Sequence, residues 1–374
     1  MVELPCVNKS PGHLKGANVF SRVLRLWLCL SLSVFTTTGC SRKSSDTLSG
    51  QANSNAEHMP LKMAISPYQE IAMLVNEKPL GLEKKYDLNL ELITMPWEEQ
   101  LPAVASAGPT VDVGFASLSD YLAKADRINS RQDDPVLYLF PSWTFHGGGF
   151  ISFNAGVPKL DSKNINDKQT VEKFLGYKFG AQKFSPYHML LWKLAKQVGM
   201  KLSSVNIVDT TLNEGLLATE NGSLDMAGVG LTQRTEAVKR HGRVVLTMDT
   251  VHLMDPSGFI CKKSVYLKRK REIDALIHIW YDCTNYVLSD LDHHSDYTLD
   301  YLKKNSSTHY SLSEFKEALA QEYVPKSIAE AKERVGTGTS EFSIASAAKQ
   351  INEYLVETGA IKTPAKIPEI IDPQ

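Results

Sequence analysis

The sequence predicts an α/β protein of two lobes, each a mainly parallel sheet flanked by helices, with the lobes joined by a two-strand hinge. Three observations predict it. The tripeptide Ser-Pro-Tyr occurs twice, as Ser66-Pro67-Tyr68 and Ser185-Pro186-Tyr187, each time after a strand-like apolar run. Behind each copy the chain repeats one order of strand, helix, strand, helix and strand, the pattern of parallel sheets with helices on their faces. Between the halves, Gly147-Gly148-Gly149 runs into the extended Phe150-Ile151-Ser152-Phe153, which suits a hinge between lobes.

The first half opens on Lys62-Met63-Ala64-Ile65, a short buried strand. Ser66 is expected to cap the next helix, with Pro67 at its first position and Gln69 completing a capping box. That helix, 67–78, turns Ile71, Met73, Leu74 and Val75 inward, and Gly81 follows it. Leu88, Leu90 and Leu92 alternate with polar residues, as in a half-buried strand, which ends at Met95-Pro96-Trp97. Trp97 either walls a ligand cleft or packs under a loop. A helix over 98–107 leads to a third strand, Thr110-Val111-Asp112-Val113-Gly114-Phe115-Ala116, closed by Ser117.

The second half repeats the scheme. A strand over 177–182 passes through Lys183 and Phe184 to Ser185, which caps a helix with Pro186 at its first position. Gly199 follows, then a strand at 205–208, a helix at 212–220, and Ser223-Leu224-Asp225-Met226-Ala227-Gly228-Val229. Asp112 and Asp225 fall at matched positions. A strand feeding a capped helix leaves free amides at the strand's carboxyl edge, a seat for an anionic group. Two such seats predict a ligand held between the lobes, beyond the carboxyl ends of the strands.

Residues 135–143 read as a strand and then the outgoing crossing. No Gly-Lys-Ser/Thr follows the glycine run, so a phosphate loop is excluded. Ser257-Gly258-Phe259-Ile260 reads as the return crossing. One lobe is therefore expected to hold 61–153 and 257–374, and the other 154–256. Beyond Val265 the pattern is helical, with Ile273, Leu276, Ile277, Trp280 and Tyr281 forming an inner face over 272–286, and further helices at 312–319 and 344–358.

The chain has 374 residues, 43% of them hydrophobic, enough for two or three domains. Without residues 1–40 it carries 37 basic and 41 acidic residues. No basic stripe with interleaved aromatics marks a nucleic-acid partner. Lys268-Arg269-Lys270-Arg271 reads as a solvated helix face. The cluster Asp290, Asp292, His293, His294 and Asp296 reads as a solvated loop rather than a zinc or calcium site, since it lacks the spacing of either. Cys261 and Cys283 could pair in an oxidising compartment, but both sit in apolar contexts where buried free thiols are ordinary. No nucleophile elbow, paired-cysteine ribbon or dinucleotide fingerprint is present, which points to binding rather than catalysis. No cofactor or metal is expected.

Arg22 and Arg25 precede the apolar run Leu26–Phe35, too short to span a bilayer but suited to the core of a signal peptide. It ends in Thr37-Thr38-Gly39-Cys40, which resembles a bacterial lipobox with Thr37 in place of the usual leucine. Export with a lipid on Cys40 is expected, followed by a flexible tether over 41–60.

Five stretches, 65–86, 111–121, 176–199, 221–229 and 258–268, carry a family resemblance in their order and spacing. The chain resembles substrate-binding proteins of ABC importers, in the nitrate/sulfonate/taurine and thiamine-pyrimidine-precursor-like group of type II periplasmic binding proteins. The resemblance implies two lobes that close on a small anionic or zwitterionic solute such as a sulfonate, taurine or nitrate. It implies ligand contacts from Ser66, Tyr68, Trp97, Ser117, Ser185, Tyr187 and His188, with Gly228 and Val229 as further candidates. No acidic or arginine residue stands out as fixing the ligand class; Lys183 lies nearby and Glu70 is expected on a helix surface. A permease and its ATPase are the implied partners of a monomer held at the membrane by its N-terminal lipid, in the periplasm or on the cell surface. A thiamine pyrimidine precursor is the alternative solute. A pyrimidine synthase-like enzyme shares the fold, but its cysteine-rich active segment has no counterpart here. A sensor with the same lobes and no transporter is a third reading.

Overall fold

The computed structural model describes residues 59–106, 108, 110–129, 133–306, 309–336 and 340–374. The expected leader, Cys40 and nearly all of the tether lie outside the described residues. The first strands are β1 (Leu61–Ile65), β2 (Leu90–Thr94), β3 (Val113–Ser117), β4 (Val136–Phe145) and β5 (Gly149–Ser152). Next come β6 (Lys178–Gly180), β7 (Asn206–Val208), β8 (Met226–Val229), β9 (Arg243–Thr247), β10 (Asp255–Lys262) and β11 (Glu322–Tyr323).

They form two sheets, ordered β11-β4-β10-β3-β1-β2 and β7-β6-β8-β5-β9. In the first, β1 is parallel to β2 and β3, and β10 runs antiparallel to β3 and β4. In the second, β6 is parallel to β7 and β8, and β5 runs antiparallel to β8 and β9. The plan is the same in both: three parallel strands, then one antiparallel strand that the chain enters directly after crossing from the other sheet. Ser257–Ile260 pair with β3 and β4 throughout, so the return crossing precedes these residues instead of running through them. Parallel strands covered on both faces must be apolar along their length, and β1 and β3 are buried almost end to end.

The matched aspartates do one job twice. The Asp112 carboxylate accepts the Lys62 N–H (3.0 Å) while its own N–H donates to Lys62 O (2.8 Å). Asp225 makes the same pair with Lys178, at 2.9 Å in each direction. Each aspartate thus pins the start of the first parallel strand to the start of the third. Gly81 (φ +65°) and Gly199 (φ +79°) both take the left-handed turn that closes a helical segment.

The two Ser-Pro-Tyr copies differ. Ser185 caps the helix Pro186–Gln197 as expected, accepting the His188 N–H. Ser66 caps nothing: Ile71–Glu77 is a 3-10 helix without a side-chain cap. The Ser66 hydroxyl instead donates to Met95 O (2.8 Å) and accepts from Gln100 Nε2 (2.8 Å), and Gln100 Oε1 accepts the Phe115 N–H (2.7 Å). This buried staple ties together the carboxyl ends of β1 and β2 and the middle of β3.

Helix Lys270–Ser289 covers the first sheet, seating Trp280 against Phe115 (centroids 5.1 Å), Trp143 (5.9 Å) and Phe259 (5.9 Å). Arg269 departs from the solvated helix face expected of its cluster. It is mostly covered, pairs with Asp112 (3.0 Å) and Glu272, and donates to the carbonyls of Met59 and Pro60. Cys261 in β10 and Cys283 in this helix are buried free thiols. His293 pairs with Asp290 (2.8 Å), whereas His294 stacks on Tyr286 (centroids 3.9 Å). The last helix, Ile344–Glu357, packs on Leu118–Asn129 beside the first sheet and on Pro186–Gln197 beside the second. Tyr354 reaches His188, Glu357 accepts from Trp192 Nε1 (2.7 Å), and Lys196 pairs with Glu353 and Glu357. Among the described residues no helix is long and apolar enough to cross a membrane.

Candidate functional site

The carboxyl ends of the parallel strands in both sheets open on one cavity of about 100 Å³. On the same measure one water needs only about 10–15 Å³, so the space admits a small solute. From the first sheet come Tyr68 to Glu70 after β1, Trp97 after β2 and Ser117 at the end of β3. From the second come Gln182, Ser185 and Tyr187 after β6, and Gly230 and Leu231 after β8. Trp143 and Phe145 of β4 and Asp255 and Ser257 of β10 close it from the hinge side.

The repeated tripeptide therefore delivers a tyrosine from each half. Tyr68 meets Trp97 edge-on (centroids 6.4 Å), Trp97 leans on Trp143 (6.0 Å), and Tyr187 stands edge-on to Phe145 (6.4 Å). Glycine makes room for Tyr187: a Cβ on Gly228 would come within 2.6 Å of its Cβ. Gly228 is thus a packing residue beneath the site, and Val229 is buried in β8. Trp97 proves to be a wall of the cavity.

Three carboxyls shape the electrostatics. Asp255 is buried, accepts the Ser119 N–H (3.0 Å) and hydroxyl, and is pushed up to about 6 by that burial. Ser117 completes this corner, its hydroxyl 3.2 Å from that of Ser119. Glu70 was expected on a helix surface, yet it is 5% exposed and lines the cavity. Burial raises its carboxyl to about 7, and Oε2 has no hydrogen-bond partner. Glu322, on β11 opposite Phe145, is buried with neither carboxyl oxygen partnered. Burial and then the charge of Glu70 push it well above the usual carboxylate range, and Arg234 offsets this in part. Burial likewise raises the phenols of Tyr68 and Tyr187.

Sequence comparison finds no relatives: no family model and no curated protein matches this chain. Solved structures do match. The periplasmic aliphatic sulphonate binding protein SsuA from Escherichia coli is similar with a TM-score of 0.60 at 15% identity, covering 82% of this chain and 95% of that one. The periplasmic nitrate-binding protein NrtA from Synechocystis PCC 6803 is similar at 0.57 and 14% identity, over 82% and 83%. The Candida albicans CA3427 gene product, described as exhibiting the generic periplasmic binding protein structural fold, is similar at 0.58 and 14%, over 84% and 98%. This chain has the periplasmic-binding-protein fold. At such identities the likeness is one of fold.

Within this periplasmic-binding-protein fold, Tyr68, Trp97, Ser117, Ser185 and Tyr187 come together on the cavity wall. Two candidates do not join them. Ser66 lies wholly buried in its staple with Met95 and Gln100. His188 is turned away, its Nδ1 2.5 Å from the Tyr354 hydroxyl, and burial lowers it to about 4. Lys183 is exposed, its backbone N–H held by Asp209 (2.9 Å). Trp143, Asp255 and Glu322 were not singled out from the sequence, and Glu70 was expected on a helix surface instead of the cavity wall. Glu70 left one signal, an acid set directly before the apolar run Ile71-Ala72-Met73-Leu74. Glu322 left none.

Proposed function

We propose that this chain is the extracytoplasmic solute-binding component of an ABC importer, capturing one small solute between its two sheets. The observation that carries the proposal is the shared cavity, walled by the tyrosine of the same tripeptide from each half and set at the carboxyl ends of both sets of parallel strands. In this reading the lobes, built on β1–β4 with β10 and β11 and on β5–β9, part between 145 and 149 and between 247 and 255 instead of at 153 and 256; they close on the solute, and binding shifts the population towards the closed arrangement. Glycines at 147–149 let the outgoing crossing bend, and a permease with its ATPase receives the closed form. The leader and Cys40 would place a lipid-anchored monomer in the periplasm or on the cell surface. The cavity supplies aromatic walls and hydrogen-bonding groups, which suits the capture of a small solute.

The test is a thermal-shift screen of the full chain against sulfonates, taurine, nitrate, amines and thiamine pyrimidine precursors, with native mass spectrometry of the protein as purified. A ligand at about 100 times its Kd adds about 2.7 kcal/mol, enough to raise Tm by several degrees. A saturable shift lost in Trp97→Ala supports the reading. A flat screen together with a ligand-free native mass would sink it.

A further inference from the structure

We propose that the solute presents a positively charged nitrogen, seated against Glu70, with the buried carboxyl of Glu322 behind it, and walled by Tyr68, Trp97, Trp143 and Tyr187. This rests on the receptor reading and names the class of solute that reading leaves open. Glu70 and Glu322 are 5% and 8% exposed, and three of their four carboxyl oxygens are buried without a hydrogen-bond partner. Asp255 on the same cavity differs, since Ser119 satisfies both of its oxygens. Burying an unpaired carboxylate is expensive, and two within reach of each other are worse.

No Lys, Arg or His stands among the described residues that line the cavity. The nearby cation, Arg234, is committed elsewhere: its guanidinium donates to Gly147 O (2.6 Å) and to Gln321 Oε1. The other ionisable groups facing the acids are the phenols of Tyr68, Tyr187 and Tyr310, which stay neutral, and Asp255, which adds negative charge. A bare sulfonate or nitrate placed here finds no cationic side chain on the wall and faces the carboxyls of Glu70 and Asp255. A cationic nitrogen meets acceptors that lack donors, and the faces of indole and phenol rings, which attract cations when water is excluded. The amides at the start of the Pro186 helix also border the space, so a zwitterion is accommodated where a simple anion is not.

Shape-matched probe pairs test this in the full chain: taurine against isethionate, and phenethylammonium against 2-phenylethanol, by calorimetry. The nitrogen-bearing member of at least one pair is expected to bind about tenfold or more tightly than its partner. Glu70→Gln should erase that preference and Glu322→Gln weaken it, each leaving Tm unchanged or higher, because each replaces a buried carboxyl that lacks a hydrogen-bond partner. Tight binding of isethionate or nitrate, unaffected by either substitution, overturns the charge assignment and leaves the receptor reading standing. If no probe binds, the molecule carried through purification decides by native mass spectrometry: a nitrogen-free anion overturns the assignment, and a nitrogenous cation or zwitterion upholds it. Absence of both probe binding and a carried molecule overturns the receptor reading, and this inference with it.

Discussion

The two Ser-Pro-Tyr copies invite comparison because they share a sequence and a place in the fold but not a local structure. At Ser185 the serine caps a twelve-residue α-helix, and Pro186 takes the first helical position. At Ser66 the serine is drawn beneath the sheet edge by Gln100 and Met95, and a 3-10 helix follows. In both, the tyrosine two residues on reaches the same cavity. What is kept between the halves is the delivery of the ring; the capping is not. The tighter segment in the first half also buries Glu70, for which the second half has no acidic counterpart, since Met189 stands at the matching place three residues after Pro186. The halves thus contribute unequally to one site, acid from the first and helix amides from the second.

The largest expected effect separates the two tyrosines. Tyr187 is 5% exposed and fills the space that Gly148 and Gly228 leave open, whereas Tyr68 is only half-buried. Tyr187→Ala should therefore lower stability by about 3–5 kcal/mol, in the range for a buried aromatic truncated to alanine. Tyr68→Ala should cost clearly less while still weakening ligand binding. Urea unfolding of both variants checks the order, and equal losses would mean the cavity is not packed asymmetrically.

The next effect follows from Glu70, present in one half only. Its carboxyl rises from 4.5 in a free chain to about 7 in the fold, so between those values the folded state binds more protons than the unfolded one. Stability is then fully present below about 4.5 and falls as pH rises through about 7, by an amount on the order of 3 kcal/mol. Asp255, raised from 3.8 to about 6, contributes in the same direction. Glu70→Gln should flatten the ligand-free Tm profile across this window. A saturating cationic ligand should flatten it too, because it pairs the charge that burial penalises. A variant profile as steep as the wild type would show that Glu70 does not titrate in this range.

A smaller effect sets the serines against each other. Ser185→Ala loses a cap on a helix that still has Pro186 to start it, costing about 0.5–2 kcal/mol. Ser66→Ala strips Gln100 Nε2 of its buried acceptor and Met95 O of its donor, about 1–3 kcal/mol. Ser66→Ala is expected to be the worse of the two, measured as the difference in urea midpoint at constant m. The reverse order would mean that the capping function is shared after all.

How much of this was legible depended on distance along the chain. The strand periodicity, the glycines at 81 and 199 and the Ser185 cap are set by neighbours a few residues away, and the sequence pattern shows them; the aspartates, whose partners lie 50 and 47 residues off, showed only because the repeat places them alike. Ser66 was misread because its partners Met95 and Gln100 lie 29 and 34 residues on, and these outcompete a local cap. His188 was placed in the site because the partner that turns it out, Tyr354, lies 166 residues away. Glu322 sits on a two-residue strand recruited from the helical tail to the sheet edge, which no local periodicity announces. Five aromatic and hydroxyl residues of the cavity could be named from the sequence; of its acids, Asp255 left no signal, and Glu70 could not be told from a surface residue.

The smallest effect concerns the far side of the second half, where Ile344–Glu357 leans on Pro186–Gln197. Lys196 bridges Glu353 and Glu357 there, but all three side chains are between 41% and 52% exposed. Exposed pairs gain little over hydration and are screened by salt, so Lys196→Met should change stability by under about 1 kcal/mol, and by less still in 0.5 M salt, where the Debye length is only about 4–5 Å. The contact between the helices rests instead on Trp192, Tyr354 and Leu355, which are buried. If Lys196→Met proved strongly destabilising and salt-sensitive, the last helix would be held electrostatically, and its grip on the second half would loosen with ionic strength. A small, salt-insensitive change leaves it as an apolar brace spanning both halves, behind the cavity that their unequal tripeptides share.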